Sequence, residues 1–233
     1  LKADLDYLVS TWNDIQRKFR KQRAPSAMYQ DLTIVLRAIR DMFTDEVDSV
    51  VVDSVREHKA ILRFVSRLIP QVKDKISLYE GNMPLFDYFG IETEISRAMD
   101  RKVWLKSGGY LVIDQAEALV AIDVNTGRYV GKKNLEETIL KTNLEAVKEI
   151  AYQLRLRNFG GIIILDLIDM EKEAKKEKVY RALEEALKTD RARPTIMKIS
   201  QLGLVEMTRK RTRESLVRST CEPCPYCEGR SYV

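Results

Sequence analysis

Apolar positions along the chain recur with two periods, and these divide it into helices and strands. Leu5, Leu8, Trp12, Ile15 and Phe19 repeat at three and four residues, which predicts an amphipathic helix. Ala24-Pro25-Ser26 breaks it, and a second helix resumes through Ile34, Leu36, Ile39 and Phe43, so residues 1 to about 45 read as helical. Val50-Val51-Val52 predicts a short strand, residues 55–69 a helix stopped by Pro70, and residues 76–79 a further strand, followed by a turn at Gly81-Asn82-Met83-Pro84. From about Arg101 the texture changes. Residues 104–106, 110–113 and 118–124 predict strands joined by tight turns, one of them at Gly108-Gly109. Asn134 and Glu137 resemble a capping box, opening a long helix with Leu140, Leu144, Val147, Ala151 and Leu154 on its buried stripe. Asn158 and Gly160 end that helix. Ile162-Ile163-Ile164-Leu165 predicts a central strand buried on both faces, followed by a helix over about 171–188 and a strand over 195–199. The alternation predicts an α/β fold.

Composition narrows the chemistry. At 233 residues, with 45% hydrophobic and 32% charged positions, the chain reads as globular, one large domain or two small ones. Apolar runs are too short to span a bilayer. The 40 Lys+Arg against 35 Asp+Glu leave a net charge of +5, which permits an anionic partner without demanding one. The single histidine, His58, excludes a polyhistidine metal site and leaves only itself for a Ser-His-Asp enzyme; an exposed helix position is its expected place. The 3 cysteines, all near the end of the sequence, exclude a disulfide scaffold and point to a reducing compartment. Trp12 and Trp104 are expected in or near the core. A start at Leu1 with charged residues immediately after it shows no signal peptide and reads as a fragment of a longer protein.

Four constellations could carry chemistry. In Ala121-Ile122-Asp123-Val124-Asn125, Asp123 and Asn125 share one face of a strand. Asp166 ends the apolar run at 162–165, with Asp169 three residues on. If those strands are neighbours, two carboxylates and an amide oxygen converge, a hard donor set suited to Mg²⁺ or Mn²⁺. The competing reading makes Asp166 or Asp169 a helix cap and Asp123 a turn residue. Arg128, Lys132 and Lys133 stand in a glycine-bounded loop, and Arg155, Arg157, Arg191, Arg193, Arg209, Lys210, Arg211 and Arg213 follow, either as phosphate contacts or as solvated helix faces. Cys221-x-x-Cys224-x-x-Cys227 reads as a zinc knuckle. It offers three thiolates where a closed site needs four ligands, so a second chain is its simplest completion, with unpaired surface cysteines as the other reading.

Several runs in order resemble the bacterial ribonuclease E/G family. They are Glu117-Ala-Leu-Val-Ala-Ile-Asp123-Val-Asn125, Glu136-Glu137-Thr138, Thr142-Asn143-Leu144-Glu145-Ala146, Gln153-Leu-Arg155-Leu-Arg157, Asp166-Leu-Ile-Asp169-Met170, Asp190-Arg-Ala-Arg193 and the stretch 202–215. The upstream run at 78–86 fits too, so the resemblance covers most of the chain, and the stretch 202–215 with the three cysteines is similar to the ribonuclease G branch. The resemblance implies a helical connector over residues 1–35, an RNase H-like subdomain over 36–100, a DNase I-like catalytic subdomain over 101–217 and a zinc-link over 218–233. It implies a cytoplasmic endoribonuclease that cuts single-stranded, AU-rich RNA to 5′-phosphate and 3′-hydroxyl ends, in RNA decay and ribosomal RNA maturation. Asp123 and Asp166 then hold Mg²⁺, for which Mn²⁺ substitutes, and Asn125 supports them. Cys224 and Cys227, with Cys221, bind a Zn²⁺ shared between two protomers of a homodimer, which leaves higher oligomers open. The family's OB-fold RNA-binding domain and most of its 5′ sensor would precede Leu1, and Ser231 stands where the family usually has glycine. The rival expectation is therefore a zinc-linked RNA-binding fragment that does not cut, and a weaker one is a metal-dependent DNA nuclease.

Overall fold

The computed structural model describes residues 2–43, 47–127, 135–200, 202–222 and 224–227. The chain forms two compact units, Leu1–Gly90 and Ile91–Val233.

The first unit contains α1 (Lys2–Lys21), α2 (Ile34–Met42), β1 (Val50–Val52), α3 (Val55–Leu68), a 3-10 turn (Pro70–Lys75), β2 (Ile76–Leu78) and the short α4 (Leu85–Tyr88). Thr33 and Ser54 begin α2 and α3 by accepting the backbone N–H of Leu36 and Glu57 on their hydroxyls. β1 and β2 are parallel, Val50 opposite Ile76, and α3 is the crossover that parallel strands require. Ile39, Ile61, Val65 and Ile76 form the core. The α1 stripe expected to be buried is largely open: Leu5, Leu8, Trp12 and Phe19 are exposed within this unit. The helix is held instead through Tyr7, edge-on to Phe64, and through Asp14, paired with Arg67.

The second unit begins with α5 (Ile91–Met99), which packs with α8 (Leu216–Thr220). Between them lie β3 (Lys102–Trp104), β4 (Tyr110–Gln115), β5 (Leu119–Asn125), α6 (Leu135–Leu156), β6 (Gly161–Asp166), α7 (Glu173–Leu187), β7 (Thr195–Ile196) and β8 (Leu204–Arg209). Among the described residues the strands form one six-stranded sheet in the order β3-β4-β5-β6-β8-β7. Only β5 and β6 are parallel, joined through α6; the other pairs are antiparallel. Leu111, Ile113, Val120, Ile122, Val124, Ile163, Leu165, Val205 and Met207 face α6 and α7 in one core. Asn158, at φ 51°, ends α6 with bonds from its own N–H to Arg155 O and from Phe159 N–H to Leu154 O. That is a Schellman motif with Asn in the left-handed position, and Leu154 and Phe159 are both buried beside it.

Two expectations change and one falls outside the described residues. Asn134, the expected cap of α6, lies outside the described residues. The run at 162–165 is not buried on both faces: Ile163 and Leu165 are fully buried, while Ile162 is 50% exposed. The reason is that α6 and α7 pack on one face of the sheet. β8, which pairs with β6, is a strand that the sequence reading does not identify. Its Val205 and Met207 face inward while Glu206 and Thr208 face out, the alternation of a sheet covered on one face. Trp104 lies on the open face too, 65% exposed rather than packed in a core.

Candidate active site

The open face of the sheet gathers the predicted carboxylates. Asp123 and Asp166 are direct partners in the β5–β6 register, at the carboxyl ends of the two parallel strands. Open α/β sheets bind ligands at such ends. Asn125, two residues beyond Asp123, shares its face and donates from Nδ2 to Asp123 Oδ2 at 2.5 Å. Partial burial, then the charges of Asp123 and Asp169, pushes the Asp166 carboxyl above its ordinary value. Asp114, on the same face, shows the contrast. A bidentate bond from Arg101 (2.5 and 2.6 Å) holds its carboxyl below the usual range. Among the described residues no Lys or Arg forms an ion pair with Asp123, Asp166 or Asp169. Facing carboxylates without a cation repel, so this donor set fits a divalent ion: two hard carboxylates supported by an amide.

The chain around these residues is pinned from beneath. Asn143 of α6 is fully buried and clamps the loop after β6, donating to Ile168 O (2.8 Å) and accepting from Ile168 N (3.1 Å). Glu145 accepts the N–H groups of Lys106 (2.6 Å) and Ser107 (3.1 Å), fixing the β3–β4 turn. That turn lies against the end of β5. A Cβ on Gly109 would stand 2.6 Å from Asn125 O, and one on Gly127, itself at φ +65°, would collide with Gly108 O. Gly203, at φ +78°, brings the turn before β8 beside Asp169. Glu136 joins the starts of α6 and α7 through Lys172 (3.0 Å) and Lys175 (2.6 Å).

The basic residues separate. Arg128, Lys132 and Lys133 lie outside the described residues. Arg155, Arg191 and Arg193 are exposed, but they sit where α6 and α7 return to the sheet, the end of β6 opposite to Asp166. They do not surround the carboxylates. Arg157 is 2% exposed, so it is not a surface phosphate contact. Its Nε donates to Gln153 Oε1 at 2.7 Å, and burial lowers its pKa. Arg209 is buried too, bonded to both oxygens of Asp190 (2.7 and 3.1 Å) and to Phe159 O (2.6 Å). Burial alone would raise the Asp190 carboxyl, but the bonds from Arg209 and the Ala192 N–H bring it below its ordinary value.

The cysteines separate as well. Backbone N–H groups of Cys227 and Tyr226, then the Cys227 side chain, lower the Cys224 thiol. Cys221 turns away, its Sγ 3.7 Å from Met99 Sδ. Among the described residues no three His, Cys, Asp or Glu side chains gather closely enough to hold a metal. His58 lies on α3 of the first unit.

The sequence model described as "Ribonuclease E/G family" matches residues 1–212. The chain belongs to the ribonuclease E/G family. Ribonuclease G of Escherichia coli (strain K12) is 47% identical over 233 residues, all of this chain and 48% of that protein. Ribonuclease G of Haemophilus influenzae is 44% identical over the same span, and ribonuclease E of that organism 39% identical, with 25% of its length covered. The chain thus spans about half the length of the ribonuclease G relatives. In this family member the Asp123–Asn125 and Asp166 motifs meet at the carboxyl ends of the two central strands. The clamps by Asn143 and Glu145 were visible in sequence only as part of a family run. A polar residue on a buried helical stripe, such as Asn143 next to Leu144 and one turn before Val147, is the signal that could have found the first.

Proposed function

We propose that the Asp123–Asp166 edge is the cleavage site of a metal-dependent endoribonuclease, acting on single-stranded, AU-rich RNA and leaving 5′-phosphate and 3′-hydroxyl ends. The observation that carries this is the direct register of two carboxylates at the carboxyl ends of parallel strands, neither in an ion pair with a Lys or Arg among the described residues, in a member of the ribonuclease E/G family. Asp123 and Asp166 would hold Mg²⁺ or Mn²⁺, which supplies an acidified water and neutralises phosphoryl charge. Asn125 fixes the rotamer of Asp123 through its 2.5 Å bond, and Asn143 fixes the loop that carries Asp169. No histidine is required.

The same reading makes residues 101–217, within the second unit, the DNase I-like subdomain and residues 36–100 the RNase H-like subdomain. It assigns the protein to the cytoplasm, with ribosomal RNA maturation among its tasks. Among the described residues no helix is long and apolar enough to cross a membrane. Arg128, Lys132 and Lys133, which follow β5 in the sequence, are proposed RNA contacts. Cys224 and Cys227 are proposed zinc ligands; two thiolates from each of two chains complete a tetrahedral site, with Cys221 outside it.

Cleavage of a labelled single-stranded RNA tests the reading. Mg²⁺ should support cutting, EDTA should stop it, and D123N or D166N should slow it on the order of 10²-fold or more. Matched DNA should be cut poorly. Cutting by D123N and D166N at the parent rate would overturn the assignment. Exposed Arg155, Arg191 and Arg193, far along β6 from the carboxylates, favour a second reading, a zinc-linked RNA-binding assembly that does not cut. It predicts salt-dependent binding with intact RNA in the same assay.

A further inference from the structure

The open sheet face carries two aromatic rings and an ammonium group next to the carboxylates. Trp104 on β3 is 65% exposed, and its ring meets Tyr110 of β4 edge to face with centroids 5.3 Å apart. Lys102 Nζ lies 4.1 Å from the Trp104 centroid and 3.5 Å from that of Tyr110. Lys102 and Trp104 are two residues apart on one strand and so share a face. The register carries that face to the site. Trp104 pairs with Tyr110, and Tyr110 pairs with Asn125. In the next row Lys102 pairs with Val112, Val112 with Asp123, and Asp123 with Asp166. With strands about 4.8 Å apart, Tyr110 stands one spacing from Asn125 and Trp104 two.

Core packing does not account for these rings. The intervening Val103 and Leu111 point into the core beneath, so Trp104 and Tyr110 lie on the side turned away from α6 and α7. A single exposed aromatic is ordinary, but here two rings continue the row that contains Asn125, and a cation lying over them begins the row that contains Asp123. Aromatic faces flanked by positive charge are what unpaired bases stack on, with little regard for sequence, because every base has a π-face.

We propose that Trp104, Tyr110 and Lys102 form a stacking platform that seats a base of single-stranded RNA next to the phosphate at Asp123–Asp166. The proposal rests on the reading of that pair as the cleavage site. Trp104 and Tyr110 take the base, and Lys102, held over both rings by cation–π attraction, meets the phosphate of the same nucleotide as a point charge. A base inside a duplex has no free face to offer, so the platform selects single strands at the site itself.

The chain has 2 tryptophans, so W12F leaves Trp104 as the fluorophore. Full-chain W12F is titrated, without Mg²⁺ or Mn²⁺, with a labelled single-stranded RNA oligomer and with its duplex. Single-stranded RNA should quench Trp104 in step with the anisotropy of the label; the duplex should not. W104A should bind the single strand about tenfold more weakly and W104F close to the parent, and in cleavage W104A should raise KM more than it lowers kcat. An unquenched Trp104 at saturating RNA, W104A binding at the parent level, or no binding by any form would overturn the platform. The two readings fail separately. Loss of cutting in D166N with Trp104 unquenched removes the platform and keeps the cleavage site. Quenching with D166N still cutting removes the cleavage site and keeps the platform.

Discussion

Asp190 and Arg209 are each nearly as buried as an interior leucine, and each would be costly there alone. Together with the Phe159 carbonyl and the Ala192 N–H they satisfy one another. D190N leaves a buried guanidinium without its anion, so thermal or urea unfolding at pH 7 should show a loss of about 3–5 kcal/mol. The Asp190 carboxyl lies below its unfolded value of about 3.9. Its contribution is therefore complete above that pH and is lost as pH falls through the lower folded value. The gap between parent and D190N should accordingly hold from pH 7 to about pH 5 and close under stronger acid. Asn143→Ala strands the Ile168 N–H and C=O, and should cost about 1–3 kcal/mol for each group left without water, while also slowing cleavage through the loop bearing Asp169. A stable N143A that cuts at the parent rate would show the clamp to be dispensable. At this scale the sequence is legible where a residue is defined by its own strand, as Asp123 and Asn125 are. It is not legible where a long side chain has two places to go. Arg157 and Arg209 read as surface cations because their burial depends on Gln153 and Asp190, partners that no local pattern announces.

Among the elements, β5 and β6 were foreseen nearly to their ends, because alternation and an apolar run mark them. Their adjacency was a condition rather than a reading, and the parallel register supplies it. β8 is not legible because Arg209, Lys210 and Arg211 read as part of a basic cluster, although Val205 and Met207 alternate with Glu206 and Thr208. Its alternation matches that of β6, whose Ile162 faces away from the side that α6 and α7 cover. The turns that shape this face depend on glycine. Gly109→Ala would press a methyl against the Asn125 carbonyl, backbone that cannot swing aside. It should cost about 1–3 kcal/mol in unfolding and reduce cleavage by displacing Asn125. An unchanged Tm for G109A would mean that the β3–β4 turn does not bear on β5 as described.

For the molecule as a whole, the odd count of 3 cysteines resolves into a pair and a single. Cys224 is lowered by its neighbours' N–H groups, while Cys221 faces Met99. Metal analysis should find about one zinc per two chains, and C224S with C227S should release it and halve the mass in solution, while C221S should do neither. Zinc content and mass unchanged in the double variant would contradict the link. The α/β class was legible from the alternation of periods. The exposure of Leu5, Leu8, Trp12 and Phe19 on α1 was not, because an apolar stripe shows that a helix has one greasy side without showing what covers it.

The central claim is that Asp123 and Asp166 together hold a divalent cation. Electron paramagnetic resonance titration of Mn²⁺ into the zinc-saturated chain tests it most directly, since binding needs neither RNA nor turnover. The parent should bind Mn²⁺ at a site that Mg²⁺ competes for, and D123N and D166N should each lose it. Equal Mn²⁺ binding by the parent and both variants would contradict the account.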